Sequence, residues 1–100
     1  MVLLKFKPSI SEDKIDVLFS QIAELKNLIP GIEYYADGPY SSPEGMNEGY
    51  THGFLMTFEN VKTRDEYLPH PEHERVKSAI LPCVDGACGF DFETDVPFPG

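Results

Sequence analysis

Hydrophobic and polar positions along the chain change from a strand-like period to a helical one within the first fifteen residues. Residues 2 to 7 alternate, with Val2, Leu4 and Phe6 on one side, which predicts a half-buried strand that Pro8 ends. From residue 15 to residue 29 apolar side chains recur at steps of three and four. The spacing predicts a helix over 12–28, capped by Ser11 and ended by the Pro-Gly pair at 30–31.

The middle of the chain predicts two further strands separated by a long loop. Residues 32–36 are rich in aromatic and β-branched side chains and are followed by a run of Gly, Pro, Ser and Asn from Asp37 to Gly49. That length favours a lid or a rim over a simple turn. Residues 50–59 alternate clearly. They predict a third strand that carries His52 among aromatic neighbours.

Two helical pieces and a last strand are predicted for the remainder. Asn60 can cap a short helix that ends at Tyr67, and the Pro-His-Pro run at 69–71 starts another helix, which Pro82 ends. His73, Val76, Lys77 and Ile80 share one face of it by spacing. After a predicted loop, CVDGAC, the residues Cys88, Phe90 and Phe92 alternate as a final strand, with Cys88 as a small core residue and DVPFPG as a tail.

The predicted order strand, helix, strand, strand, helix, strand is typical of an α+β, ferredoxin-like βαββαβ sandwich, formed as one domain over 1–100. Helices cover one face of such a sheet. The other face would carry Leu3, Leu55 and part of the Tyr34 and Tyr35 pair, which is apolar enough to need a partner. We therefore expect a homodimer whose two sheets pack face to face.

Composition narrows the classes of function. With 100 residues and 41% hydrophobic side chains, the chain can form one core, and it lacks an apolar run long enough for a membrane span or a signal peptide. The formal net charge of -9 argues against nucleic acid and against anionic membrane surfaces as partners. The two cysteines, Cys83 and Cys88, lack the spacing of a zinc site, and a cytoplasmic location with reduced thiols is expected.

Tyr67 and His73 are the strongest candidates for chemistry. An imidazole can remove a proton from an acidic carbon at neutral pH, and a phenol can donate to the oxygen that becomes charged, so we predict His73 as general base and Tyr67 as acid. His52 is predicted to orient the substrate. The predicted substrate-binding pocket is apolar and is lined by Val2, Leu4, Phe19, Ile22, Phe54 and Val76. No metal or other cofactor is expected, because His70 and His73 lack a convincing third ligand and no glycine-rich phosphate loop is present.

Several segments together resemble the stress-responsive dimeric α+β barrel (Dabb) family. They are VLLKFK, LIPGI, the GYTHGF stretch with its following TFE, the YLPHPEH helix start and FDF, and they span nearly the whole chain. The resemblance implies a ferredoxin-like protomer that dimerises through its sheet into a barrel. Some members are polyketide cyclases that close a linear poly-β-ketone by aldol condensation, and the resemblance places their Tyr and His positions at Tyr67, His73 and His52.

Two principal functions remain open. One is a cofactor-free cyclase-like lyase that acts on a small hydrophobic or polyketide-like ligand. The other is a non-catalytic stress-responsive oligomer in which His73 and His52 only stabilise the fold; it draws support from Ile22, which stands where a cyclase-like member carries a Tyr. Dioxygen or haem chemistry, which other ferredoxin-like dimers perform, is a third and weaker alternative.

Overall fold

A computed structural model, which describes residues 1–96, contains a four-stranded antiparallel sheet whose inner face packs on helices. The elements in chain order are β1 (Val2–Phe6), α1 (Glu12–Leu28), β2 (Ile32–Pro39), β3 (His52–Phe58), α2 (Val61–Tyr67), α3 (Pro71–Ile80), a 3-10 turn (Leu81–Cys83) and β4 (Val84–Gly89). The strands lie in the order β2-β3-β1-β4. The predicted α+β, ferredoxin-like sandwich is confirmed, with its second helix in two pieces.

The first helix forms over the predicted residues. The hydroxyl of Ser11 accepts a hydrogen bond from the backbone N–H of Lys14 at 3.1 Å, which satisfies one of the free donors at the helix start. Gly31 follows the helix with φ at 93°, in the left-handed region. A Cβ there would lie 2.6 Å from Cγ2 of Thr63. The turn after α1 therefore requires glycine both for its backbone conformation and for the close approach of α2.

The hydrophobic core lies between the helices and one face of the sheet. The most deeply buried side chains, which are 1% or 2% exposed, come from α1 and α3 and are Leu18, Ile22, Leu25 and Val76. The sheet contributes Leu4, Phe6, Ile32 and Met56 to the same cluster. This agrees with the predicted alternation in β1 and with the apolar stripe of α1.

A register shift in β2 decides which of its tyrosines faces the core. Ile32 pairs with Phe58 while Tyr34 pairs with Thr57, so Glu33 is an extra residue opposite β3. The shift moves every following side chain of β2 to the other face. Tyr35 therefore points toward the helices with Met56, and Tyr34 joins Leu3 and Leu55 on the outer face.

The prediction for the last strand is wrong. The CVDGAC segment is not a loop, because β4 runs over Val84–Gly89 and pairs with β1, with Cys88 opposite Leu3. Hydrogen bonding to the inner strand β1 outweighs the poor strand propensity of Asp85 and Gly86. Phe90 and Phe92 lie beyond β4 and are exposed, and so is Cys88, which is not a core residue.

Other boundaries also differ from the prediction. β2 continues to Pro39 and β3 begins at His52, which shortens the long loop to residues 40–51. That loop is internally hydrogen-bonded, for example from the Gly45 N–H to the Tyr40 hydroxyl at 2.8 Å. The prediction that Lys77 shares a helix face with Val76 and Ile80 is wrong, because Lys77 is exposed and pairs with Glu74 at 3.0 Å. The end of the predicted tail, residues 97–100, lies outside the described residues.

Candidate active site at the α2–α3 junction

Tyr67 is the last residue of α2 and lies at the centre of the candidate site. Tyr67 is only 7% exposed, and the centroid of its ring lies 5.0 Å from that of Phe58 at the end of β3. The short helix that carries it is fixed by a capping box, in which Asn60 and Thr63 exchange side-chain and backbone hydrogen bonds of 2.9 and 3.1 Å. Local helix capping and core packing therefore fix the position of this phenol.

The imidazole of His73 packs against the ring of Tyr67 in a tilted arrangement. The two ring centroids are 4.3 Å apart at an interplanar angle of 43°, and Nδ1 of His73 lies 2.8 Å from the carbonyl oxygen of Leu68. A carbonyl oxygen can only accept, so Nδ1 carries the hydrogen and the neutral ring keeps a lone pair on Nε2. The contact thus selects the tautomer that can act as a base through Nε2.

The Leu68 carbonyl is available because the helix is interrupted. In an unbroken helix this oxygen would accept from the N–H of Glu72. That N–H instead donates to Nδ1 of His70 at 3.1 Å, so His70 caps α3 and Pro71 occupies the first turn. The expected helix-start role of His70 is confirmed.

The hydroxyl of Tyr67 is a free hydrogen-bond donor. It has no hydrogen-bond partner among residues 1–96, and it is not fully buried. In that range, Oε1 of Gln21 is the fully buried side-chain polar atom that lacks a partner. Burial of the ring, and secondarily the negative charge of Asp91, raise the pKa of Tyr67 to about 12. The phenol therefore stays protonated at neutral pH and can donate to a ligand oxygen.

His52 belongs to a different aromatic group. Its ring lies 5.1 Å from Phe6 and 5.8 Å from Phe19, and its Nδ1 lies 2.9 Å from the hydroxyl of Thr51. The first residue of β3 is His52 and the last is Phe58, against which Tyr67 packs. His52 and Tyr67 therefore lie toward opposite ends of β3, with the buried side chain of Met56 between them on the inner face.

Three further polar residues near Tyr67 were not identified from the sequence. Asp91 pairs with Arg64 of α2 at 3.1 Å and adds to the raised pKa of Tyr67. Tyr35 and Asp37 of β2 are joined by a hydrogen bond of 2.8 Å. The alternation of β2 could have placed Tyr35 and Asp37 on one face, but only the register shift decides that this face is the inner one.

The model of the stress responsive A/B barrel domain matches residues 1–94. The chain belongs to this family. The resemblance found in the sequence is thereby confirmed.

Two relatives differ in what their names describe. The stress-response A/B barrel domain-containing protein HS1 of Arabidopsis thaliana is 33% identical over 93 residues, which are 93% of this chain and 85% of the relative. Olivetolic acid cyclase of Cannabis sativa is 36% identical over 73 residues, 73% of this chain and 72% of the cyclase. The two names thus describe different functions, one a stress response and the other a cyclisation.

Solved structures agree with the fold. The crystal structure of At3g17210 from Arabidopsis thaliana superposes with a TM-score of 0.89 at 34% identity and covers 97% of this chain and 95% of that one. A protein of unknown function from Jannaschia sp. CCS1 is described as dimeric and ferredoxin-like. It superposes with a TM-score of 0.82 at 28% identity, and the match covers 93% of this chain and 94% of that one.

The six residues predicted to line the pocket fall into two groups. Leu4, Phe19, Ile22 and Val76 are between 2% and 6% exposed and belong to the core of the single chain. Val2 and Phe54 are half-buried, pair with each other across β1 and β3, and pack on the edge of that core. Their accessibility makes Val2 and Phe54 the better placed of the six to touch a ligand, and ligand contact by all six stays a prediction.

A separate cavity of about 300 Å³ opens beside the loop that follows β2. Its lining includes Leu3, Tyr40, Asn47, Tyr50 and His52. Within residues 1–96 there is no group of three or more His, Cys, Asp or Glu side chains placed to hold a metal ion. None of the helices in that range is both long and apolar enough to span a membrane.

Proposed function

We propose that the protein is a small-molecule-binding homodimer in which Tyr67 and His73 perform cofactor-independent acid–base chemistry. The reaction class is that of a polyketide cyclase, an aldol cyclisation that forms a carbon–carbon bond. The observation that carries this proposal is the contact between the two rings at the α2–α3 junction, where the phenol has no hydrogen-bond partner among residues 1–96 and the imidazole is held in one tautomer.

In the proposed reaction, Nε2 of His73 removes a proton from the carbon between two carbonyl groups of a linear poly-β-ketone. The resulting enolate carbon attacks a ketone carbon of the same molecule, and the new bond converts that ketone into an alkoxide. Tyr67 donates its proton to the alkoxide oxygen, and the imidazolium returns a proton to the phenolate. No oxidant is needed, because the electrons of the broken C–H bond form the C–C bond.

His52, at the other end of β3, is retained as the residue that orients the far end of the ligand. Val2 and Phe54 would supply apolar contact between the two ends. The ligand is accordingly small, extended and largely hydrophobic, with carbonyl oxygens near Tyr67. We retain a cytoplasmic location as a prediction.

The homodimer is part of the proposal. The outer face of the sheet carries Leu3, Tyr34, Ala36 and Leu55, all half-buried within one chain. A second copy would cover this apolar face, as the sheet-to-sheet prediction requires. The related Jannaschia protein is described as dimeric, which supports this arrangement.

Product analysis tests the catalytic proposal. The protein is incubated with linear triketide and tetraketide thioesters, and cyclised products are quantified against a reaction without protein. We expect His73→Ala to lower kcat/KM by about 100-fold or more and Tyr67→Phe to lower it by a comparable factor.

The matched control is His70→Asn, which removes the histidine that caps α3 but keeps a good cap residue, so activity should be retained. Equal product profiles for wild type, His73→Ala and Tyr67→Phe would refute the catalytic roles.

A non-catalytic stress-responsive protein is the second candidate function. It is favoured by the similarity to HS1 over 93% of this chain and by the close packing of Leu4, Phe19, Ile22 and Val76 in the core. Absence of turnover, together with no rise in melting temperature across a library of aromatic and polyketide-like compounds, would support this function, because ligands that bind the native state raise its melting temperature.

A further inference from the structure

Tyr35 and Asp37 form a polar pair on the inner face of β2. They stand opposite Met56 and Phe54 of β3, and the hydroxyl of Tyr35 donates to Oδ2 of Asp37 at 2.8 Å. The ring of Tyr35 lies 5.9 Å from the ring of Phe54. Tyr35 is half-buried and Asp37 is exposed, so the pair reaches from the apolar wall of the sheet to solvent.

This pair is next to the candidate active site. Met56, the partner of Tyr35, is followed on the same side of β3 by Phe58, and the ring of Tyr67 lies 5.0 Å from that of Phe58. Burial and the nearby carboxylate of Asp37 raise the pKa of the Tyr35 phenol, and Tyr67 adds to the rise, which is consistent with two phenols close enough to interact.

The two phenols present opposite hydrogen-bonding character. The Tyr67 hydroxyl has no hydrogen-bond partner within residues 1–96, so its proton is available to a ligand. The single proton of Tyr35 is already donated to Asp37, so the Tyr35 oxygen offers only lone pairs, and the carboxylate of Asp37 can only accept as well. One side of the site can thus bind a carbonyl oxygen, while the other side requires a group that donates.

We propose that Tyr35 and Asp37 form a subsite that accepts a hydrogen bond from a phenolic or enolic hydroxyl of the ligand. The subsite selects hydroxylated aromatic or enolised compounds over ligands that place an alkyl group there. An apolar group at this position would displace water from the oxygens of Tyr35 and Asp37 without replacing its hydrogen bonds. The inference rests on the proposed small-molecule function and assigns the ligand's chemical class.

Binding rather than turnover tests the subsite, so the result does not depend on catalysis. The probes are a propyl-substituted resorcinol and its dimethyl ether, which share a ring, a chain and both oxygen positions, and of which only the resorcinol can donate a hydrogen bond. Dissociation constants are measured by calorimetry for wild type, Tyr35→Phe and Asp37→Asn. Tyr34→Phe is the matched control, since Tyr34 is the neighbouring phenol on the opposite face of β2.

We expect wild type and Tyr34→Phe to bind the resorcinol about 10-fold or more tightly than its dimethyl ether, the ratio typical of a hydrogen bond to a charged acceptor. Tyr35→Phe and Asp37→Asn should reduce the ratio to about 2-fold or less. Circular dichroism confirms that each variant is folded, and Asp37→Asn, an exposed substitution, keeps the test valid if Tyr35→Phe is unstable.

The outcomes separate the two proposals. Equal binding of both probes by wild type, or a preference that survives both variants, overturns the subsite and leaves the small-molecule function standing. If neither probe binds while linear polyketides are still turned over, the subsite is likewise overturned. If neither probe binds and no turnover is found, the subsite and the proposed function fail together.

Discussion

At the scale of single residues, the ionisation of Tyr67 connects the site with stability. Its ring is buried against Phe58 and His73, while its hydroxyl finds no protein partner among residues 1–96. Such a group favours the protonated form in the folded state, and its pKa rises from the ordinary value of about 10 to about 12. The same burial that keeps the phenol available as a donor therefore makes the fold sensitive to alkali.

The free energy of unfolding should fall between about pH 10 and pH 12. In that range the unfolded chain releases the Tyr67 proton while the folded protein retains it, so rising pH favours unfolding. Tyr67→Phe removes this contribution, and the pH dependence of its urea midpoint should be shallower than that of wild type. Tyr35 acts in the same direction, so a double variant with Tyr35→Phe should be shallower again. Parallel pH profiles for wild type and Tyr67→Phe would show that the phenol is not protonated preferentially in the folded state.

At the scale of elements, the interruption between α2 and α3 creates the site. One continuous helix would bind the Leu68 carbonyl within its own backbone, and His73 would lose the contact that selects its tautomer. The break depends on His70 and Pro71 at the start of α3, and it leaves α2 as a helix of only seven residues. Because so short a helix is marginal by itself, its cap and its packing determine where Tyr67 lies.

Removing the cap of α2 should weaken the fold measurably. We expect Asn60→Ala to lower the free energy of unfolding by about 1 kcal/mol, because the N–H of Thr63 loses its acceptor. Asn60→Asp is the matched control, since aspartate caps as well as asparagine, and it should remain close to wild type. Urea denaturation of the three proteins decides the matter. An Asp variant as unstable as the Ala variant would mean that Asn60 acts through something other than its capping oxygen.

At the scale of the whole molecule, the outer face of the sheet is the feature that a single chain leaves unexplained. Leu3 and Leu55 stand there without helices above them, and β2 adds Tyr34 and Ala36. On β1 this face also carries a charged residue, Lys5. Its Nζ lies 4.6 Å from the centroid of the Tyr50 ring. An apolar face bordered in this way is suited to a second copy of the chain.

A charge at the centre of this face should dissociate the proposed dimer. We expect Leu55→Glu to weaken self-association by about 100-fold or more in sedimentation equilibrium, because the carboxylate would be buried without a partner. Val17→Glu places the same change on an exposed position of α1, 51% accessible, and should leave the dimer intact. A wild-type protein that sediments as a monomer at micromolar concentration would contradict the homodimer.

The sequence determined the helices and most of the strands of this protein because these follow from local patterns. The apolar stripe of α1, its Ser11 cap, the Asn60 cap and the proline break before His73 all act over a few residues, and each was placed correctly. Tyr67 and His73 could be paired from sequence for the same reason, since they flank that break. The assignment of the chain to its family likewise needed only short motifs.

Only the tertiary structure decided the features that depend on pairing between distant segments. β4 forms over residues with poor strand propensity because β1 supplies its hydrogen bonds, and Cys88 is exposed there as a result. The extra residue at Glu33 selects Tyr35 over Tyr34 for the inner face, which brings Asp37 beside the site. A shift of one residue in strand pairing moves each side chain to the opposite face of the sheet. The face is therefore determined by the partners across the sheet and not by local sequence.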